Sequence, residues 1–217
     1  MSDSLSTLIT KVQNALGDAS GTYFSTAIVT AAAREALKIY NQYVPVNAGT
    51  LITGVNNQYE YELSDEDSRA MNVLGIWQKG ANNNEIDTPL TYDDYNEDER
   101  IFFRLRYPIT TSDTLIVRYN IPHTINGLDS AVESTVPAWQ DPILVIGIGA
   151  EAARIRARSR TETINLSADQ SDNYLQQAQE MKAEFLADLK SMAKKKKAPV
   201  GEPDLRGWND QYYYWNQ

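Results

Sequence analysis

The sequence predicts an α+β protein: a helical core from both ends of the chain, an inserted small antiparallel β-sheet and an extended C-terminal tail. Apolar residues recur at helical spacing in residues 1–45 and 123–193, which we assign to the helical core. In residues 46–122 apolar and polar residues alternate, as in strands with one exposed face. Prolines and glycines interrupt residues 194–217, which we assign to an extended docking arm.

Length and composition fit a soluble globular protein of 217 residues, with 42% hydrophobic and 23% charged residues. The absence of cysteine excludes disulfides and thiolate metal sites. The one histidine excludes any centre that needs two in one chain. The net charge of −9 argues against a general nucleic-acid binder. No apolar run approaches the length of a membrane span, and we expect no signal peptide.

Two helices are predicted in the N-terminal part. The first occupies residues 4–16, and Gly17 ends it. The second begins at Ser25, a good N-cap residue, and stops before Pro45. A short polar loop joins them, so this part is predicted to be a helical hairpin.

Four strands are predicted in the middle of the chain, at residues 59–63, 73–78, 101–107 and 114–119. The last two form the strongest pair, because only residues 108–113 separate them. The polar stretches 80–87 and 92–99 are predicted to be loops.

The helical period returns after a loop. Asp141 followed by Pro142 indicates a helix start, and this helix should reach about Arg160. Ser167 and Gln170 form a capping box that begins a last amphipathic helix.

Three patterns suggest small-ligand chemistry, and each has a simpler interpretation. Residues 147–152 match the dinucleotide pattern G-x-G-x-x-A, yet no second parallel strand follows, so closely packed helix glycines are favoured. Asp94, Asn96 and Asp98 alternate as in a calcium loop but lack its glycine and its final glutamate. His123 is interpreted as a surface histidine. We therefore predict no catalytic residue, no cofactor and no metal site, and a protein that is not an enzyme.

Two basic and aromatic clusters are candidates for contacts with other proteins. The first contains four arginines at every second position, which either form a solvated helix end or pair with acids of another subunit: Arg154, Arg156, Arg158 and Arg160. The second is the C-terminal arm, whose predicted partner-binding residues are Lys194, Lys195, Lys196, Lys197, Trp208, Tyr212, Tyr213, Tyr214 and Trp215.

Five aromatic side chains near the C-terminus are costly to leave in water, and tryptophan and tyrosine dominate binding hot spots. A partner-docking arm is therefore the favoured interpretation. A tail folded back on its own domain is the alternative. Binding of the lysines and aromatics to an anionic membrane surface is weaker, since no amphipathic helix carries them.

Residues 56–100 hold twelve acidic residues against three basic ones. Such a segment repels nucleic-acid phosphates, which would let DNA slide past without binding. It would line a DNA channel or face outward, and the sequence leaves both arrangements open.

The order of these elements resembles the head–tail adaptor, or connector, proteins of tailed bacteriophages, including the tail-tubular type. The resemblance covers most of residues 5–190 and rests on loose packing motifs. These are Leu8-Ile9 with Val12 and Leu16-Gly17-Asp18, Glu35-Ala36-Leu37, Leu115-Ile116-Val117-Arg118-Tyr119, Ser134-Thr135-Val136-Pro137, Asp141-Pro142-Ile143-Leu144 and Gly149-Ala150-Glu151-Ala152-Ala153.

The resemblance implies a structural virion protein that forms a ring of twelve copies between portal and tail and extends the DNA channel. Its partners would be the portal protein, tail or neck proteins and copies of itself. DNA would pass as non-specific cargo, and no membrane is involved. The implied location is the head–tail junction of the virion, and the host cytoplasm before assembly. The alternative is a soluble, non-enzymatic interaction module that binds another protein through its aromatic C-terminal tail.

Overall fold

The structure is a computed structural model that describes residues 3–63, 70–79, 89–97, 100–109, 114–159 and 168–197. Within these ranges the chain forms four α-helices and six β-strands, so the predicted α+β class is confirmed. The helices are α1 (Leu5–Ala15), α2 (Thr26–Tyr43), α3 (Asp141–Ser159) and α4 (Ala168–Lys197). The strands are β1 (Val46–Thr53), β2 (Glu60–Glu62), β3 (Asn72–Gln78), β4 (Tyr92–Glu97), β5 (Arg100–Leu105) and β6 (Thr114–Ile121).

Helices from both ends of the chain share one apolar core. Val12 of α1, Val29 of α2, Leu144 of α3 and Phe185 of α4 are all buried in the same cluster. The stripes of apolar residues at helical spacing bring these side chains to one side of each helix. The expected helical core from both chain ends is therefore present.

Side-chain caps begin the two N-terminal helices. The Ser4 hydroxyl accepts from the Thr7 N–H at 3.4 Å, and the Ser25 hydroxyl accepts from the Ile28 N–H at 3.5 Å. The second cap confirms the predicted helix start. Helix α2 ends at Tyr43, next to Val44 and Pro45, because a residue before proline is disfavoured in helical conformation.

The β-rich region contains two three-stranded antiparallel sheets where the sequence predicted one. Sheet A has the order β1-β6-β3, and sheet B has the order β2-β5-β4. The predicted pairing of β5 with β6 is wrong, because the two strands are the central strands of different sheets. Both carry enough apolar side chains for a central position, where each is bonded along both edges.

The two sheets enclose a second apolar cluster. Ile76, Leu115 and Val117 from sheet A and Phe103 from sheet B are fully buried in it. The sheets also meet at one corner, where the Leu90 N–H donates to the Ile76 carbonyl at 2.7 Å.

Two strands differ from the sequence prediction. Strand β4 lies in the stretch that was predicted to be a polar loop, and its register with β5 runs from the Tyr92–Leu105 pair to the Glu97–Arg100 pair. Backbone pairing with β5 maintains this strand although most of its side chains are exposed. Strand β1 was not predicted, because its residues lack a clear alternation of apolar with charged side chains.

The C-terminal helices follow the prediction closely, with two differences at their ends. Helix α3 begins at Asp141 itself, directly after a short 3₁₀ helix (Ala138–Gln140). Helix α4 continues through Lys197, so the four lysines expected at the start of the extended arm belong to its last turn. Ser167 of the predicted capping box lies outside the described residues.

Glycines in α3 allow the close approach of α4. Helix α3 is continuous through Gly147 and Gly149, which confirms the packing interpretation over the dinucleotide loop. A Cβ atom at Gly147 would lie 2.7 Å from the ring of the buried Phe185, and one at Gly149 would overlap the end of Met181. The missing side chains therefore provide the space that the α4 side chains occupy.

We expect the Gly147→Ala substitution to lower the free energy of unfolding by about 1–3 kcal/mol, because the new methyl group overlaps the Phe185 ring. At an exposed helix position the same change stabilises a protein by about 1 kcal/mol. Urea denaturation measures the sign. Gly147→Ala should cost less in a Phe185→Leu background, where the ring is absent. Net stabilisation in the wild-type background would contradict the packing explanation.

Candidate assembly surfaces

The turn between α1 and α2 is organised by the carboxylate of Asp18. Gly17 has a positive φ of 73° and ends α1, as in the Schellman motif. The Asp18 side chain then accepts hydrogen bonds from the N–H groups of Thr22 at 3.0 Å and of Tyr23 and Phe24 at 2.7 Å. The carboxylate thus satisfies three backbone donors that no helix or strand would satisfy.

Opposing effects act on the pKa of Asp18. Burial alone would raise the pKa, but the N–H groups of Phe24 and Tyr23, the Ser20 hydroxyl and the Thr22 N–H stabilise the charged form. Together they hold the pKa of Asp18 below its usual value of 3.8. The charged carboxylate is therefore a structural group of this turn.

The prediction of a surface histidine is wrong. His123 is buried, and its Nδ1 lies 3.2 Å from the Thr135 hydroxyl. Its backbone N–H donates to the Asn41 Oδ1 at 2.8 Å, and its ring packs edge-on against Tyr40. Strand β6 ends two residues earlier, so His123 lies where the chain passes from sheet A back to the helices. Its neighbours give it a packing role.

The described residues contain no group of three or more His, Asp or Glu side chains arranged to hold a metal ion. Asp94 and Asn96, two residues of the rejected calcium-loop pattern, lie in the extended strand β4, while Asp98 lies outside the described part of the chain. An extended strand separates its side chains and cannot wrap them around one cation.

The arginine cluster is partly engaged within the chain. Arg154 pairs with Glu151 one turn earlier on α3, and Lys182 of α4 reaches the other oxygen of the same carboxylate at 3.1 Å. Glu151 is only 3% exposed, so two cations compensate a buried charge between the helices. Arg154 therefore has a partner within its own chain, and its pairing with acids of another subunit stays a prediction.

The remaining arginines differ in their surroundings. The Nε of Arg156 is buried and has no hydrogen-bond partner among the described residues, whereas Arg158 is exposed near the end of α3. Arg160 lies outside the described residues. Contacts of these side chains with a second subunit remain a prediction.

The C-terminal binding residues are largely outside the described part of the chain. Lys194 is exposed on α4, and Lys195, Lys196 and Lys197 continue that helix. The five aromatic residues of the arm lie beyond the described ranges: Trp208, Tyr212, Tyr213, Tyr214 and Trp215. Their role in binding therefore stays a prediction.

Several large apolar side chains are exposed that the sequence did not single out. Val132 is 88% exposed, Tyr107 73% and Trp139 69%. Trp139 lies on the short 3₁₀ helix before α3, and Val132 lies in the connection that precedes it. An exposed tryptophan held on a helical turn is typical of a contact surface. The only signal of this exposure in the sequence was the position of Trp139 in a stretch without apolar periodicity.

The outer face of sheet B carries charged and aromatic side chains. The rings of Tyr95 and Phe102 stack with centroids 5.4 Å apart, and Arg100 donates to Glu62 at 2.8 Å. Burial raises the pKa of Tyr95, and its hydrogen bond to Glu60 adds to that effect. Part of the acidic segment therefore forms an ordered, exposed sheet surface.

Comparisons with known proteins leave the family undetermined. No protein-family model and no curated protein matches the chain. Among solved structures, the chain is similar to one titled as the neck of an empty GTA particle with C6 symmetry. The TM-score is 0.30 at 9% identity, over 76% of this chain and 87% of the other. A second, the neck of a native GTA particle with C12 symmetry, has a TM-score of 0.26 at 9% identity, over 66% and 79%. Scores this low establish no common fold. None of the described helices is both long and apolar enough for a membrane span.

We expect Asp18→Asn to lower the melting temperature at neutral pH, because an amide nitrogen would replace one oxygen that accepts backbone N–H groups. The wild type should also lose stability in acid. A lowered folded-state pKa adds stability above the unfolded value, near 3.8, and that stability disappears as the pH falls through the folded value.

Thermal unfolding between neutral pH and about pH 3 tests this linkage. The stability of Asp18→Asn should decline less steeply with acid than that of the wild type. Glu133→Gln, at an exposed loop position, is the matched control and should follow the wild type. Identical pH profiles for wild type and Asp18→Asn would contradict the role of the carboxylate.

Proposed function

We propose that this chain is a non-enzymatic structural subunit of a virion neck. In this proposal twelve copies form a head–tail adaptor ring between portal and tail, and the ring extends the DNA channel. The proposal rests on the positions in the fold of the sequence motifs that resemble those of adaptor proteins. Leu16-Gly17-Asp18 ends α1 and organises the following turn, Leu115–Tyr119 is the centre of sheet A, and Asp141–Leu144 begins α3. These motifs belong to the framework of the fold, which is what a structural subunit shares with its relatives.

The character of the surface supports an assembly role. In the described residues, polar groups in the interior serve packing, as Glu151, His123 and Asp18 do. Large apolar side chains are instead exposed at separate places, including Trp139 and Tyr107. Protein contact surfaces use such side chains, whereas an enzyme concentrates reactive groups in a concave site.

The C-terminal arm is the proposed anchor on the portal protein. It follows α4, whose last turn contains the four lysines, and it carries five aromatic residues in its last ten positions. Ordering such an arm costs about 1–2 kcal/mol per residue in backbone entropy, and each buried aromatic side chain returns about 1.5–3 kcal/mol. Several aromatics are therefore needed, and lysine pairs with acids on the portal would make attachment sensitive to salt.

The acidic surface suits a subunit that surrounds DNA. Asp93, Glu97 and Glu62 are exposed on sheet B. Carboxylates facing a channel repel phosphates and let DNA pass without binding. This arrangement would place sheet B toward the lumen, with other neck or tail proteins below the ring.

Deletion of residues 199–217 tests the proposed anchor. We expect the melting temperature to stay nearly unchanged, because prolines and glycines interrupt this segment in the sequence and disfavour a regular helix or strand. Stable attachment to purified portal should be lost, as measured by co-sedimentation. A second variant keeps the full length of the chain and has serine at all five aromatic positions. It should also fail to bind, because the aromatic side chains are the proposed anchor.

Two outcomes would overturn this proposal. A truncated chain that melts many degrees lower would show that the arm belongs to its own core. A truncated chain that binds portal as tightly as the full chain would show that the anchor lies elsewhere.

A further inference from the structure

Strand β1 has one edge that no described residue covers. The alternation of backbone hydrogen bonds along the neighbouring strand β6 shows which N–H and C=O groups of β1 point outward. The Lys79 N–H donates to the Thr114 carbonyl at 2.7 Å, so Thr114 directs its backbone groups toward β3. Neighbouring residues in a strand direct these groups to opposite sides, so Leu115 and every second residue after it face β1.

The register between β6 and β1 then shows which β1 residues bond to β6. Leu115 is opposite Ile52, and Val117 is opposite Thr50, so these two β1 residues bond to β6. The N–H and C=O groups of the intervening residues point away from the sheet, and they have no hydrogen-bond partner among the described residues: Asn47, Gly49, Leu51 and Thr53.

This open edge lacks the protection that sheet edges usually have. Strand β1 is eight residues long and contains no charged residue and no proline. Native proteins normally place charges, prolines or bulges on an exposed edge, because a bare edge pairs with another strand. Leu51 adds an exposed apolar side chain, at 57% exposure, beside the open backbone.

Strand β4 provides a second edge of a different chemical character, which is open beyond the corner where the Leu90 N–H and the Tyr92 hydroxyl donate to the Ile76 and Val73 carbonyls of β3. The Arg106 N–H donates to the Thr91 carbonyl at 3.1 Å, and the register then directs Asp93 and Tyr95 toward β5. The backbone groups of Asp94 and Asn96 therefore point outward, without a partner in the part of the chain that the structure describes. Unlike β1, this strand carries three carboxylates.

We propose that β1 of one copy pairs with β4 of the next copy, so that sheet A of one subunit continues into sheet B of its neighbour. This inference rests on the proposed ring and names the contact that closes it. Two β4 strands would place like charges opposite one another, which is unfavourable. The uncharged β1 edge accepts the six-residue acidic β4 strand without that repulsion.

The contact is heterologous, because the two copies use different edges. A heterologous contact leaves one open edge at each end of every intermediate, so assembly continues until a ring closes. Pairing of β1 with β1 of a second copy would be isologous and would stop at two copies. The two arrangements therefore differ in the size of the assembly and in which variants can join.

Proline substitutions remove an outward N–H without removing a hydrogen bond inside the sheet. Leu51→Pro changes the β1 edge, and Asp94→Pro changes the β4 edge. Each should weaken self-association by roughly tenfold or more, because one inter-subunit hydrogen bond is lost and the ring carbons obstruct the neighbouring strand. Leu51→Thr and Asp94→Thr keep the N–H and are the matched controls. Circular dichroism and melting temperature check that all four variants fold.

Mixing the two proline variants gives the sharper test, read by light scattering on the full-length chain. Each variant alone should be monomeric. An equal mixture should form dimers and nothing larger, because one intact β1 edge meets one intact β4 edge. A dimer of Asp94→Pro alone would overturn the proposal in favour of β1–β1 pairing. Unchanged assembly of Leu51→Pro would overturn any role for β1.

Engineered cysteines detect the same contact when association is weak, because the natural chain contains no cysteine. Leu51→Cys mixed with Asp94→Cys or with Asn96→Cys should form a disulfide between copies under mild oxidation, since facing strand positions lie within disulfide range. Leu51→Cys alone should stay unlinked. Absence of the mixed disulfide in both combinations would overturn the proposal. Attachment to portal is measured separately, so a chain that self-assembles through β1 and β4 yet ignores portal would contradict only the proposed function.

Discussion

The rest of the helical core depends on the close packing of α3 against its neighbours. Helix α3 contacts α1, α2 and α4, so its side chains must be small or apolar on several sides. Gly147 and Gly149 provide the space for Phe185 and Met181, and Arg154 and Lys182 compensate the buried charge of Glu151. Because α4 comes from the C-terminal part and α1 and α2 from the N-terminal part, this packing joins the two ends of the chain across the inserted sheets.

The insertion is connected to the helices through a buried polar junction. The chain leaves α2 at Val44 and returns to the helices at His123. At this junction the His123 backbone N–H donates to the side-chain oxygen of Asn41. Tyr40 packs on the histidine ring and donates to Gln140, just before α3. A buried and satisfied network of this kind fixes the geometry of the junction, because any displacement would leave buried groups without partners. The orientation of the sheets relative to the helices is thus determined by a few residues.

Local signals predicted the helices well and the strand pairing poorly. Ser25 and Pro45 act within a few residues of themselves, so the limits of α2 were visible in the sequence. Pairing depends on partners distant in the chain: β5 and β6 are only eight residues apart, yet each bonds strands of its own sheet. Backbone pairing with β5 forms the polar strand β4. Because most of its side chains are exposed, its sequence shows no alternation of apolar and polar residues. The burial of His123 was missed for the same reason, since Tyr40 and Thr135 are remote neighbours.

In the proposed ring, the contrast between the β1 and β4 edges would suit a subunit that must stay dispersed and then assemble. Carboxylates on β4 and on the rest of sheet B disfavour random association of like surfaces, because equal charges repel at short range. An uncharged β1 edge meets no such repulsion from an acidic strand, so the pairing of β1 with β4 carries no charge penalty. Growth through the pairing of β1 with β4 is directional, whereas pairing of β1 with a second β1 would stop at two copies. The polar side chains that concealed β4 from sequence-based prediction would then also prevent β4 from pairing with a second β4.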